Sequence, residues 1–500
     1  MVFWLLLLGF ITYFILQQRV ARLTRTPVWL LWLVLMTPAF IWVAWYQTRG
    51  ASKQMPIAVA IGPFLLCLLA YWLLVYLGRR QIEKPMDSSE ASADSEYQNP
   101  EETKTLSQVR LLDKNQEALL RDCFPWTVYP LHRIDYRPQS AICRGQLRAK
   151  PEMAYQKVRQ NIEAQFGDRF LIIFQEDFDG KPLFILVPNP HRAETGDSAN
   201  PYIASPKEQS LGKPALALAL ALITLFTTTV VGTQIAAVPV GDLPSNPVLL
   251  LQGLPYALAL MAVLGIHELG HYFAAAFYKI PANLPYFIPF PAFLGTFGAF
   301  VRIRAPMPNR KVLFDVSIAG PLAGLLVTIP ILIWGLGLST VVDLPERGGM
   351  LSIEALNPTF SLLLTLLTKL ALGSEFAADR AIELHPIAVA GYVGAIVTAF
   401  NLMPVGQLDG GHIVHAVFGQ RTGAVIGQAA RFLLLALSLM QPDLLFWAIF
   451  LFFIPIIDSP ALNDVTELDN WRDFCGLLAL GVLLLIILPA PPLVTNLLNL

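Results

Sequence analysis

Charge is scarce in this 500-residue chain. Asp, Glu, Lys and Arg make up 14% of it, against roughly 25% in an ordinary soluble protein. Hydrophobic residues fill 55%, and the mean hydropathy is +0.55, which is more apolar surface than one water-soluble core can hide. Cysteine is scarce too. Four of them, Cys67, Cys123, Cys143 and Cys475, are too few for a disulfide scaffold. A net charge of −1 gives no electrostatic footprint for nucleic acid, so none is expected as a partner. No internal repeat stands out, which removes support for an inverted-repeat transporter. A polytopic membrane protein remains.

The few charges are unevenly placed. Between Arg79 and Lys213 lie 39 of the 71, in 135 residues. The plan is therefore membrane, soluble insert, membrane. Three apolar runs precede the insert, near 2–18, 27–46 and 56–78, each long enough to cross a ~30 Å hydrocarbon core. The first lacks a basic start and a small-residue cleavage site, so it reads as a retained helix. Within the insert, Asp87 to Glu102 is acidic and Ser-rich and reads as a disordered linker. Asp113 to Cys123 and Pro151 to Phe166 have helical spacing. Arg169–Phe174 and Pro182–Val187 are β-rich and flank Asp177-Phe178-Asp179-Gly180, a hairpin signal.

After the insert, apolar runs fall near 214–240, 247–277, 312–340, 357–373, 386–404, 424–440, 443–457 and 471–490. The expected fold is an all-α polytopic membrane protein of about 10–11 apolar segments with a small α/β soluble insert. Residues 1–78 are read as N-terminal membrane helices, 79–213 as linker plus soluble domain, and 214–500 as the second membrane block. Arg19, Arg22 and Arg25 after the first run, and Arg79, Arg80 and Lys84 after the third, mark the cytoplasmic side. The basic group Lys279, Arg302, Arg304, Arg310 and Lys311 agrees with them.

Chemistry concentrates at two places. His267-Glu268-Leu269-Gly270-His271 ends a charge-free stretch of 20 residues from Pro247 to Ile266. Histidines at i and i+4 share one helical face and suit two corners of a tetrahedral zinc site. Glu268 beside them can serve as general base towards a water at the metal. Read as core residues instead, the three would bury an unpaired Glu at membrane depth, at a cost of ~2.5 kcal/mol or more. A catalytic zinc usually takes a third protein ligand. Asp409 ends another charge-free stretch, Pro386 to Leu408, and follows Pro404, which breaks a helix, with Gly410 and Gly411 behind it. Taken alone, Asp409 could equally cap a loop, and His412 and His415 are rival ligands nearby.

Together, HELGH in a membrane helix and Asn401-Leu402-Met403-Pro404-Val405-Gly406-Gln407-Leu408-Asp409-Gly410-Gly411-His412 resemble the site-2 protease family of intramembrane zinc metalloproteases. Phe314 to Gly324 (FDVSIAGPLAG) is similar to that family's next helix, and the likeness spans roughly residues 247–420. Gly145-Gln146-Leu147-Arg148 is similar to the GNLR signature of the EGY-type branch (ethylene-dependent gravitropism-deficient and yellow-green), with Gln146 in place of its Asn. The resemblance implies one zinc held by His267, His271 and Asp409, with Glu268 activating the water and Asn401 lying near the scissile carbonyl. It implies hydrolysis of a peptide bond in or near a membrane-spanning segment of a substrate protein. It also implies a multi-pass location, in a plasma or thylakoid-type membrane of a photosynthetic bacterium or plastid. A catalytically inactive scaffold of the same fold is the alternative, and a transporter with a metal site is a weaker one.

Three further expectations follow. Pro281 to Phe300, apolar but broken by four prolines and two glycines, reads as a re-entrant loop or hairpin. Its role is either to pair with an unwound substrate by β-addition or to anchor at the interface. The run 357–373 is read as not crossing the membrane. Ala319-Gly320 with Ala323-Gly324 forms a small-residue face for close helix contact, and Cys123 and Cys143 are expected as reduced thiols.

Overall fold

A computed structural model describes residues 26–49, scattered positions between 62 and 74, 111–189 without 138 and 178, 214–238, 245–343 without 291–293, 356–439 without 378–379, and 444–498. The first apolar run, the acidic linker and most of the tether after the insert lie outside the described residues. The chain divides into two compact units, Met1–Gln98 and Asn99–Leu500. In the first, α1 (Val28–Arg49) is apolar along its length and continues through Pro38. The Thr26 hydroxyl donates to the Leu74 carbonyl at 2.9 Å, so the described positions of the third run lie beside the start of α1.

In the second unit, residues 114–188 form an antiparallel sheet with two helices. Its elements are α2 (Lys114–Asp122), β1 (Leu131–Arg137), β2 (Ser140–Gly145), α3 (Pro151–Phe166), β3 (Phe170–Glu176) and β4 (Pro182–Pro188), with strand order β1-β2-β4-β3. Pro151 starts α3, where a missing N–H costs nothing. The helix buries Ala154, Tyr155, Val158 and Ile162, one face at helical spacing. Phe174 and Phe184 stack with ring centroids 4.2 Å apart. The buried Tyr129 hydroxyl donates to the carbonyls of Cys143 and Pro182, which satisfies it inside the core. Burial pushes the Cys143 thiol up to about 12. Burial, with Asp122 nearby, pushes Cys123 up to about 11. Both stay protonated and unbonded.

Two of these strands escape the sequence reading. β1 alternates only over Arg133-Ile134-Asp135-Tyr136-Arg137, a short run dominated by charge, and β2, with Ala141, Ile142 and Cys143 in succession, does not alternate. Their turn contains no glycine: Gln139 takes the left-handed conformation at φ 62°. The β3–β4 turn has the ordinary signal, with Gly180 at φ 74°.

The apolar part follows. Four described helical spans are long and apolar enough to cross a membrane: Pro214–Ile235, Pro247–Phe277, Arg310–Gly337 and Asn470–Ile487. The first is α4. The second opens as a 3-10 turn, Pro247–Gly253, and continues as α5 (Leu254–Phe277). Gly253 sits where it does because a Cβ there would lie 2.0 Å from the Thr229 carbonyl of α4. The third is α6 (Arg310–Gly337), capped by the Asn309 side chain accepting from Val312 N–H. α6 is the hub, packing against α5, α8 (Pro386–Asn401) and α9 (Asp409–Phe418). The rest are α7 (Leu362–Leu372), α10 (Gln420–Ser438), α11 (Leu445–Phe453), α12 (Asn470–Ile487) and α13 (Pro492–Leu497). With 11 residues, α7 is roughly 16 Å long, half a hydrocarbon core.

The expectation of an all-α block outside the insert needs correction. β5 (Tyr286–Pro289) and β6 (Thr296–Phe300) form an antiparallel hairpin, and β7 (Thr340–Asp343) pairs with β8 (Arg380–Glu383). The first lies within Pro281–Phe300, where proline and glycine forbid a helix. A Cβ at Gly295 would lie 2.5 Å from Thr228 Cα, and the Gly295 carbonyl accepts from the Thr227 hydroxyl at 2.7 Å, which seats the hairpin on α4. The second ribbon joins strands of four residues, too short to leave a periodic trace.

Candidate metal centre

His267 and His271 lie one turn apart on α5, and both are buried. Their rings are 5.1 Å apart. The surface they face is α6, which has no side chain to offer there. A Cβ at Gly320 would lie 2.1 Å from His271 Nε2, and one at Gly324 would lie 2.9 Å from His267 Nδ1. At Gly270 a Cβ would lie 2.5 Å from the Ala319 carbonyl. The small residues therefore do two things: they bring α5 and α6 together and leave imidazole-sized room between them.

α8 ends at Asn401, and the turn Leu402–Leu408 leads into α9, whose first residue is Asp409. Glycine permits this reversal. Gly406 is left-handed at φ 51°, and a Cβ at Gly410 would lie 2.0 Å from the Leu402 carbonyl. The turn brings Asp409 Oδ2 to 3.3 Å from His267 Nε2 and 3.3 Å from His271 Nε2. One ligand atom from each of the three lies within 4.8 Å of the others.

The donor set fits a zinc ion. Bonds of ~2.0–2.1 Å in tetrahedral geometry hold neighbouring ligand atoms about 3.3–3.4 Å apart, matching both separations. His271 Nδ1 is 2.8 Å from the Val316 carbonyl of α6. A carbonyl only accepts, so the proton is on Nδ1 and Nε2 keeps its lone pair for a metal. Asn401 Nδ2 is 3.1 Å from His267 Nε2, on the metal-facing nitrogen. Glu268 is buried beside the histidines and lines, with all of these residues, a cavity of about 770 Å³. Val301, Arg302 and Ile303, which continue the chain from β6, form another wall.

His412 and His415 are engaged elsewhere. Both Nδ1 atoms lie 2.7 Å from Asp458 Oδ2, and His415 Nε2 is 2.9 Å from Asp464 Oδ1. Asp458 and Asp464 escape the sequence reading, although Asp458 ends an apolar run much as Asp409 does. Burial alone would lower the His415 pKa, but Asp458 and Asp464 outweigh it and push it up to about 9. Asp458 is likewise disfavoured by burial, yet the two imidazoles hold it down at about 2.

Residues 255–440 match the family model of peptidase family M50, and residues 118–195 match that of the EGY3 middle domain. Over residues 255–440 the chain is similar to peptidase family M50. The first match takes in α5, α6, α8, α9 and every candidate ligand, and the second takes in the four-stranded α/β part. The chain is 32% identical over 353 residues to the probable zinc metalloprotease EGY2, chloroplastic, of Arabidopsis thaliana, covering 70% of this chain and 60% of that one. It is 30% identical over 365 residues to EGY1 of the same plant, covering 69% and 65%. To EGY3 of Oryza sativa subsp. indica it is 27% identical over 250 residues, covering 47% and 42%. The chain thus spans less than two thirds of these relatives' own length. No solved structure matches it.

Proposed function

We propose that the protein is an intramembrane zinc metalloprotease, hydrolysing a peptide bond in or near a membrane-spanning segment of a substrate protein. The observation that carries this reading is the convergence of His267, His271 and Asp409 at tetrahedral spacing, beside Glu268, within an apolar helical bundle. His267, His271 and Asp409 would hold one zinc. When bound, zinc polarises a substrate carbonyl and lowers the pKa of water towards ~7. Glu268, buried in the cavity wall, takes a proton from the attacking water and returns it to the leaving amine. Asn401 can donate from Nδ2 to the developing oxyanion, provided it leaves His267 Nε2 when the metal is bound. The inactive-scaffold reading needs a missing catalytic residue, and all of these are present.

The substrate must unwind locally, because helical carbonyls are already hydrogen-bonded. A cavity of about 770 Å³ gives an opened strand room, and the β6 side of the hairpin supplies a backbone edge beside Glu268. The chain is read as polytopic: residues 1–78 as N-terminal membrane helices, 79–213 as linker and soluble domain, and 214–500 as the membrane-embedded protease. The basic clusters put the insert and the site on the cytoplasmic or stromal side. The named relatives are chloroplastic, which supports a plastid or photosynthetic-bacterial membrane, thylakoid or plasma.

The test is metal analysis of purified protein, paired with cleavage of a model membrane-spanning substrate that has a helix-breaking Gly or Pro near its cytoplasmic end. One zinc per chain and cleavage are expected. Both should be lost in the His267→Ala, His271→Ala double variant. Zinc that persists in that variant would sink the reading.

A further inference from the structure

The segment Asp458–Thr466, between α11 and α12, bonds to the middle domain and to the helices around the metal centre, and its first residues, Asp458 to Pro460, line the same cavity as His267, His271 and Asp409. On one side it extends the middle-domain sheet, in whose order β3 is an edge strand. Phe174 N–H donates to the Leu462 carbonyl at 2.7 Å, and Asp464 N–H donates to the Phe174 carbonyl at 2.8 Å. On the other side, Leu462 N–H donates to Met307 and Asn463 N–H to Pro308, in the turn that opens α6. Leu462 and Val465 pack into the middle domain's own core. The segment is a strap with the sheet on one edge and the helices around the metal centre on the other.

Its acids reach the helix that starts at Asp409. Asp464 accepts from His415 Nε2, and Asp458 accepts from Nδ1 of both His415 and His412. Ser459 N–H holds the other Asp458 oxygen at 2.6 Å. His412 and His415 follow Asp409 by three and six residues on α9, so both are rigidly tied to it over less than two turns. His415, Asp458 and Asp464 are all buried. Buried charges persist only when fully paired, which gives such a network one arrangement rather than several.

From this path we infer that the strap couples the middle domain to the metal centre: Asp464 and Asp458 are positioning residues that fix α9, and with it Asp409, through His415 and His412. The inference rests on Asp409 being a zinc ligand. It gives the soluble domain a way to act on the site without touching substrate. Drawing β3 away from Leu462–Asp464 frees Asp464, then His415, then the first turn of α9. Thermodynamic linkage makes the coupling reciprocal, so zinc must also steady the strap.

Reciprocity supplies the test. Amide hydrogen exchange of the full-length protein is followed with and without zinc, in peptides covering Phe174, Leu462–Asp464 and, as a folding control, Ile142 and Cys143. Zinc affinity is measured in parallel by chelator competition. In wild type, zinc should slow exchange at Phe174 and Asp464 about tenfold and leave β2 unchanged. Asp464→Ala should weaken zinc about tenfold, within the 10–100-fold range of outer-shell partners, and abolish the slowing. Asp464→Glu should restore part of both. If Asp464→Ala loses β2 protection, Asp464→Asn, which keeps the shape, takes its place in the same comparison. Zinc bound by wild type with no change at the strap overturns the coupling alone. Wild type that binds no zinc overturns the metal reading and the coupling together.

Discussion

Two clusters of histidine and aspartate meet on α9, three residues apart, and they are opposites. In the first, His267, His271 and Asp409 turn their ligand atoms towards one point, 3.3 Å from nitrogen to oxygen. His271 Nδ1 is satisfied by a backbone carbonyl, so Nε2 carries no proton and turns its lone pair to the side where Asp409 lies. In the second, both ring nitrogens of His415 are bonded to carboxylates. The residue types are the same, and the partner of the far nitrogen decides the role. A histidine whose second nitrogen faces a carbonyl is prepared as a ligand, and one held between two carboxylates is prepared as a cation. Proximity to the motif is therefore a poor guide. His412 follows Asp409 by three residues and points to a structural acid.

The contrast breaks most sharply at the histidines. His271→Ala should remove zinc and cleavage together, whereas His412→Ala should keep one zinc per chain with a lowered melting temperature. Equal zinc loss from both would erase the distinction between the clusters. Next comes Glu268→Gln, nearly isosteric and not a ligand. It should retain zinc and lose cleavage by ~10²–10⁴, the usual worth of a general base; near-wild-type turnover would assign the proton to another group. Gly320→Ala probes the cradle. A Cβ 2.1 Å from His271 Nε2 must displace the ring, so zinc affinity should fall about 10–100-fold with the fold kept, while the same change at Gly337, where a Cβ meets nothing within 4 Å, should leave it unaltered.

The smallest effect is on pH. His415 has its pKa raised from 6.5 to about 9 on folding, so its stabilisation is complete below about 6.5 and fades as the pH rises through about 9. Asp458, lowered to about 2, is stabilising above 3.8 and loses this only as the pH falls through about 2. Thermal stability should therefore decline between pH 7 and 9.5, and His415→Gln should flatten that slope. An unchanged slope in the variant would assign the decline to other groups.

What could be read in advance depended on range along the chain. His267 and His271 are four residues apart, and a helix alone puts them on one face. Asp409 and its turn were legible because proline, glycine and a lone charge after a long apolar stretch are local signals. The strap was not, since Asp458 and Asp464 find their partners 43 to 49 residues back along the chain, and nothing in either segment encodes the pairing. β1 and β2 were hidden by the density of charge on their outer face and a turn made with Gln139. β7 and β8 were too short to show a period.

The length of α7 has a consequence for the lipid around the protein. Leu366 and Leu370 on this 11-residue helix are exposed, so in the proposed membrane setting the apolar surface it offers would be at most roughly 16 Å tall. α6, with 28 residues and with Leu322, Leu326 and Trp334 exposed, reaches about 42 Å. Lipid beside α7 and lipid beside α6 would then meet apolar surfaces of different height, at a cost of fractions of a kcal/mol per Å of mismatch. Shorter acyl chains would relieve the strain beside α7 and longer ones would add to it. Membrane composition would thereby become a variable that the protein feels through the height of a single short helix.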